Sequence, residues 1–303
     1  MALTFTRRFD FDYCVPAQVA PGVRRVVARN PKDYTLFGTN TYVIGTDSLA
    51  VLDPGPDLDE HIDALMATIG GAVVSHIFVT HSHEDHSPAA RRLSELTGAP
   101  VCGFGPLDEV ARAQTYEDID TEFDPDIRLG DGEVIAGAGW TLRALHTPGH
   151  FPNHLCYALD GRNILFSGDQ VMAWATTVIS PPLGHVGQYL ASLARLAAYD
   201  FDRYLPSHGP EVAEPARHVR DLIDHRHERE RQIIGCLAQG IADPAIMVER
   251  LYEGLTPRLV LAARQSVRAH LIHLQERGLI CRENRLRDAD PHFIDPKFVA
   301  QRG

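Results

Sequence analysis

His81-Ser82-His83-Glu84-Asp85-His86 packs three imidazoles and two carboxylates into six residues, directly after the β-rich run from His76 to Thr80. In an extended loop, residues two apart point the same way, so His81 and His83 can grip one cation while Asp85 and His86 turn toward another. Two metal ions are the natural reading of that density. The loop cannot complete both coordination shells, so further ligands should be distant in sequence and close in space, at the ends of other strands. Three places qualify, each after an apolar run: His150 in His146-Thr147-Pro148-Gly149-His150, Asp169 in Phe166-Ser167-Gly168-Asp169, and His208 in Pro206-Ser207-His208-Gly209. Glycine beside a ligand permits a close backbone approach that a side chain would obstruct.

Outward from this cluster, the first half of the chain alternates between strand and helix patterns. Val23 to Ala28, Thr41 to Ile44 and Ser48 to Leu52 read as strands, the last stopped by the turn Asp53-Pro54-Gly55-Pro56. A helix is expected from about Leu58 to Thr68. Another should follow the histidine loop, capped by Ser87-Pro88 and ended by Gly98. Trp140 to Leu145, His154 to Leu159 and Asn163 to Phe166 read as further strands. From Glu211 the pattern turns helical: one arginine-rich helix to about Ala238, a second from Pro244 to Tyr252 and a third from Pro257 to Glu276. Leu279 to Cys281 and Leu286, flanking Arg282 to Arg285, then suggest a small hairpin, and three helices with a hairpin spell a winged-helix module.

The composition limits the function classes. The 303 residues suffice for about two domains, and 44% hydrophobic with 23% charged residues argues for a folded globular chain. No apolar run approaches the roughly 18 residues that span a bilayer, so no membrane placement is expected. The first twenty residues carry Arg7, Arg8, Asp10 and Asp12 where a secretory signal would be apolar, which makes a cytoplasmic location the expectation. Five scattered cysteines give neither a disulfide framework nor a thiolate metal site. The net charge of −11 is uneven: residues 1–216 hold 14 basic and 28 acidic side chains, while 217–303 hold 15 and 12. That break places a domain boundary near 212, dividing a metal-binding unit (1–212) from a helical unit (213–303).

The cluster with its three later ligands resembles the metallo-β-lactamase superfamily, whose signature is His-x-His-x-Asp-His, a lone His, an Asp and a final His. The resemblance spans about residues 20 to 210. It implies an α/β fold, a four-layer αββα sandwich with the metals at one edge between the sheets. It assigns His81, His83 and His150 to one metal, Asp85, His86 and His208 to the other, and Asp169 to both. Asp53 matches the family's first motif and is expected to support the metal loop, while His146 and His154 are expected near the ligands without binding metal. Ser87-Pro88 and Ser207 depart from glycines common in the family, and neither removes a ligand. His83 and Asp85 stand against the redox di-iron members and favour two Zn²⁺, with Mn²⁺ or Fe²⁺ as alternatives.

A cation pair about 3.5 to 4 Å apart lowers the pKa of a water between them toward neutrality, which supplies hydroxide for hydrolysis. Asp85 is the candidate catalytic residue, orienting that water and accepting its proton. Trp174, just after Asp169, either stacks a substrate or belongs to the core. The C-terminal stretch is similar to the winged-helix extension of the beta-lactamase-like protein 2 group, which implies an endoribonuclease on single-stranded RNA, with Arg258, Arg264 and Arg268 as phosphate contacts. The alternatives are a thioester or acyl hydrolase of glyoxalase II type, taking a small-molecule acyl substrate, and a ligand sensor with a DNA-binding winged helix. The assembly state, including a homodimer, stays open.

Overall fold

The computed structural model describes residues 3–109 and 117–281. Two sheets form the centre. The first has the order β1(Ala17–Ala20), β2(Val23–Val27), β3(Asn40–Ile44), β4(Ser48–Leu52), β5(Val73–Phe78), β6(Val101–Gly103), β7(Ile127–Arg128), and the second the order β12(Arg203–Pro206), β11(Ile164–Gly168), β10(Leu155–Leu159), β9(Trp140–His146), β8(Val134–Gly137). The hydrophobic clusters reveal the layering. Val23, Tyr42, Ile44, Leu52 and Phe78 of the first sheet meet Leu142, Leu155, Tyr157 and Phe166 of the second in one core. The opposite face of the first sheet, through Val43, Val51 and Ile77, packs on Leu65 and Ile69 of α1(Asp59–Ile69) and Ala90 and Leu93 of α2(Ala89–Thr97). The opposite face of the second, through Leu145, Cys156 and Leu165, packs on Val186, Tyr189 and Leu193 of α3(Val186–Leu196). Strands buried on both faces read as continuous apolar runs, as in Leu155–Leu159 and Ile164–Gly168. The result is the expected αββα sandwich.

α1 crosses from β4 to β5 and α2 from β5 to β6, both pairs being parallel. The histidine loop therefore leaves the C-terminal end of β5. In the second sheet β12 runs parallel to β11, and β10 is antiparallel to both β9 and β11. The C-terminal ends of β9, β11 and β12, which precede His150, Asp169 and His208, thus share one edge.

Helix α1 begins with Asp59 and Glu60 in its first turn, where carboxylates favour the macrodipole, and ends on left-handed Gly70. Helix α2 ends on Gly98 as expected, but Ser87 does not cap it: the residue before the helix is Pro88, and the Ser87 hydroxyl instead donates to Asp120 Oδ2 at 2.8 Å. A tertiary acceptor has outcompeted the local backbone. Strands β1, β6, β7, β8 and β12 and helix α3 went unread in the sequence, and the long helix α4(Pro215–Ala238) starts four residues later than expected, at Pro215.

Helix α4 joins the two units. Its Val219 and Leu222 belong to the core over the second sheet, while Ile233, Ile234 and Leu237 join Met247 and Val248 of α5(Pro244–Leu251) and Val267, Leu271 and Leu274 of α6(Pro257–Glu276). Thr256 caps α6 by accepting from the Leu259 amide. The expected hairpin residues 282–286 and the Arg258 side chain lie outside the described residues. Among the described residues, no helix is long and apolar enough to cross a membrane.

Candidate metal centre

Seven side chains from four strand ends meet at the shared edge. The donor atoms of His81, His83 and His150 lie within 4.8 Å of one another, as do those of Asp85, His86 and His208, and His81, His86 and Asp169 form a third such group between them. Asp169 spans the cluster. Its Oδ2 stands 3.7 Å from both His86 Nε2 and His150 Nε2, and its Oδ1 stands 3.4 Å from His208 Nε2. Asp85 Oδ2 lies 3.5 Å from His86 Nε2 and 3.1 Å from His208 Nε2.

Four of the five imidazoles are held by the nitrogen turned away from the centre. His150 Nδ1 donates to the Val178 carbonyl at 2.7 Å, His208 Nδ1 to the Gly38 carbonyl at 3.1 Å, and His86 Nδ1 to Asp53 Oδ2 at 3.0 Å. Thr80 Oγ1 gives its hydrogen to Asp53, so it accepts from His81 Nδ1 at 3.0 Å. In all four rings Nε2 is left for the centre. His83 is reversed: its Nδ1 faces His81 Nε2 at 2.7 Å, and its Nε2 lies 3.8 Å from Glu117 Oε1. A partner on the far nitrogen fixes tautomer and ring orientation, as metal sites require.

Asp53 is the hub behind the cluster. Fully buried after β4, it accepts from the Thr80 amide at 2.7 Å, the Thr80 hydroxyl at 2.8 Å, the Ser207 hydroxyl at 2.6 Å and His86. Its backbone sits at φ 48, a left-handed conformation costly for a residue with a Cβ, and these bonds over-determine it. The serine at 207, where the family often has glycine, therefore ties the strand bearing His208 to the strand bearing Asp53.

His154 is also buried. Its Nδ1 donates to Thr147 Oγ1 at 2.9 Å and its Nε2 accepts from the Asp169 amide at 3.2 Å, so it fixes the backbone of Asp169. Gly168, at φ 54, permits this approach, because a Cβ there would collide with His154 Nε2. His146 is placed further out: its ring stacks on Phe104 at 4.2 Å and its Nε2 meets the Pro152 carbonyl at 2.9 Å. Trp174 is 6% exposed and its indole lies against Gly209, beside His208, which makes it a wall behind that ligand. Arg264 and Arg268 are exposed on α6, and Arg268 donates to Gln265 at 3.2 Å.

Sequence reasoning missed Thr80, Asn153 and Glu117. Asn153 ties the Ser82 hydroxyl and the Gly105 carbonyl together at 3.0 and 2.8 Å, anchoring the histidine loop. Thr80 adjoins the motif and could have been flagged, whereas nothing local marks Asn153 or Glu117.

The electrostatics divide the cluster in two. Burial, reinforced by the neighbouring histidines, holds His81 well below its ordinary value, and burial with the nearby His150 lowers His83 to about 3. Both stay neutral and able to donate a lone pair to a cation. For His86 and His208 burial works in the same direction, but the Asp85 and Asp169 carboxylates overcome it, lifting His86 well above its usual range and His208 to about 10. Burial would raise both carboxyls, and the two imidazoles outweigh it, so Asp85 and Asp169 are held well below the carboxylate range.

The residues fit a pair of divalent cations. His86 Nε2, His150 Nε2 and Asp169 Oδ1 are buried without any hydrogen-bond partner, although each points into the cluster. Such orphaned atoms are costly unless a cation completes them. The donor set of imidazoles and carboxylates, without thiolate, suits zinc, manganese or iron.

Comparison with known proteins agrees with this geometry. The profile of the Metallo-beta-lactamase superfamily matches residues 34–208, and that of the Beta-lactamase associated winged helix domain matches residues 244–288. The chain is similar to "Atrochrysone carboxyl ACP thioesterase dmxR1" of Cryptosporiopsis sp. (strain 8999), at 29% identity over 73% of this chain and 65% of that protein, so it spans just under two thirds of that relative's length. It is similar to "Beta-lactamase-like protein 2 homolog" of Caenorhabditis elegans at 30% identity over 93% of this chain and 91% of that one. A solved beta-lactamase domain protein from Burkholderia ambifaria shares the fold with a TM-score of 0.71 at 23% identity, covering 90% of this chain and 92% of that one. The chain therefore belongs to the metallo-β-lactamase superfamily, a family of metal-dependent hydrolases, and carries the winged helix domain associated with it.

Proposed function

We propose that this protein is a dinuclear, zinc-dependent hydrolase of a small-molecule acyl compound, with a thioester as the preferred substrate class. The observation that carries the dinuclear reading is the set of three donor groups, each within 4.8 Å, in which the group of His81, His86 and Asp169 shares His81 with one outer group and His86 with the other. On this reading His81, His83 and His150 hold one ion, Asp85, His86 and His208 the other, and Asp169 both. When bound, the ions polarise the scissile group and supply hydroxide at neutral pH.

The chain's own residues do the rest. Asp85, with its side chain 25% exposed against 11% for Asp169, is the acidic ligand most open to solvent and serves as proton acceptor and water-orienting group. His154 and Thr177 hold the Asp169 backbone from its two sides, through its amide and its carbonyl. Phe151, in a buried apolar cluster with Leu107, Ile119 and Leu183, packs against the rings of His81 and His83 and so backs the metal loop from within the fold. The thioester preference is supported by relatives such as the Cryptosporiopsis ACP thioesterase, whose name states that activity for that protein. A boundary near 212 separates the metal unit from the winged-helix unit, with α4 packing on both.

The test is a side-by-side assay of the zinc-loaded full chain on an acyl thioester, an aryl ester, a β-lactam and single-stranded RNA. Thioester turnover well above the other three is expected. RNA cleavage with an inert thioester would overturn the acyl reading and turn attention to the exposed Arg264 and Arg268.

A further inference from the structure

The C-terminal unit reaches the metal cluster through one buried cation. Arg226, on α4, is 3% exposed, and its Nη2 donates to the Thr177 carbonyl while Nη1 stands 3.4 Å from Ser266 Oγ on α6. Its guanidinium lies over the ring of Tyr189 on α3, 5.1 Å from the centroid. No carboxylate is in ion-pair range of it among the described residues, and its Nε has no partner. Burying a guanidinium without a carboxylate is expensive. The energy goes into fixing one carbonyl, on a segment that touches two members of the metal cluster.

That segment is Thr177-Val178. The Thr177 hydroxyl donates to the Asp169 carbonyl at 2.7 Å, and the adjacent Val178 carbonyl accepts from His150 Nδ1 at 2.7 Å. A second line runs through Tyr189, whose hydroxyl donates to the Gln170 carbonyl at 3.1 Å and whose backbone packs on Gly149, next to His150, so closely that a Cβ on Gly149 would collide with it. Asp169 and His150 thus share one support, and the C-terminal unit holds it.

We propose that Arg226 is a positioning residue for the metal centre: by clamping the Thr177 carbonyl it holds the Val178 acceptor that orients His150 and the Thr177 hydroxyl that orients Asp169. The inference rests on the reading of the cluster as a metal site. It gives the winged-helix unit a role in this reaction that requires no nucleic acid, since α4 and α6 carry the clamp into place. Arginine suits the task because its planar fork can serve Thr177 and Ser266 at once, whereas lysine offers a point charge on a flexible stem.

The experiment uses the full chain as wild type, R226M, R226K and T177V, and measures zinc affinity by competition with a chromogenic chelator, together with the unfolding midpoint of each metal-free protein. Loss of an outer partner of a metal ligand weakens affinity about 10- to 100-fold, and R226M is expected to fall in that range while R226K recovers part of it. T177V leaves the Arg226 contact in place and is expected to weaken zinc binding through Asp169 alone. Zinc affinity of R226M within about threefold of wild type overturns the inference, as does a lower unfolding midpoint with unchanged affinity, which would make the arginine structural only. If R226M does not fold, R226K and T177V decide: wild-type affinity in both overturns it. Absence of zinc binding by the wild type would instead overturn the metal reading itself, and this inference with it.

Discussion

Asp53 and Asp85 are both carboxylates of the cluster, and their surroundings give them opposite duties. Asp53 is fully buried and accepts from Thr80, Ser207 and His86. D53A would leave those donors unsatisfied in a dry site, a loss of about 3–5 kcal/mol by the usual cost of breaking a buried charged network, to be read by urea unfolding. D53N retains one acceptor oxygen, so the fold should survive while zinc affinity drops about 10- to 100-fold through His86. Asp85, by contrast, is partly open to solvent. D85N should lower turnover about 10²- to 10⁴-fold, the range for a lost proton acceptor, with an unchanged circular dichroism spectrum. Wild-type turnover in folded D85N would remove Asp85 from the chemistry.

At the scale of the element, α4 and α6 meet around a buried histidine. His270 of α6 is 0% exposed, neither ring nitrogen has a hydrogen bond, and burial lowers it to about 4. The Glu230 carboxylate, 3.8 Å away on α4, pulls upward, while Arg226 and Arg229 of α4 reinforce the lowering. His225 on α4 is likewise lowered to about 4, again chiefly by burial. Because the folded values lie below the unfolded value of 6.5, the unfolded chain binds more protons between them. Stability from these groups is complete above pH 6.5 and is lost as the pH falls toward 4. In H270L the slope of metal-free stability against pH in that window should fall by about 1.4 kcal/mol per pH unit, one proton's share. Equal slopes in wild type and variant would show that His270 is not the titrating group.

At the scale of the whole molecule, the cluster joins ends of both sheets, so a bound metal pair would cross-link the sandwich. Zinc at about 100 times its Kd should stabilise the fold by about 2.7 kcal/mol, seen as a rise in Tm that a chelator reverses. The second core also depends on the C-terminal unit. Val219, Leu222 and Ala269 cover the outer face of the second sheet and α3. Ending the chain at residue 212 would expose that apolar surface, and the truncated protein should be less soluble and lower in Tm than the full chain.

How much of this was legible in the sequence depended on how local the signal was. The six-residue histidine loop, the apolar runs of β10 and β11 and the three C-terminal helices are patterns within short windows, readable because ligand spacing and hydrophobic periodicity are local properties. Glycine and proline marked most ends. Short strands such as Ile127–Arg128 and Val101–Gly103 carry too few residues to show a period, and they exist because neighbouring strands pair with them. Ser87 looked like a helix cap, yet its hydroxyl went to Asp120, 33 residues away. The sequence by itself therefore determined which side chains could bind metal and which segments form the main elements, since both follow from residue chemistry at close spacing. Tertiary structure alone decided that Asp53, Ser207 and Thr80 form one hub, that Val178 and Gly38 offer backbone carbonyls to His150 and His208, and that Arg226 stands behind Thr177. These partners are joined by the folding of two sheets onto one edge, and a backbone carbonyl or a buried arginine carries no mark in the sequence of what it will face.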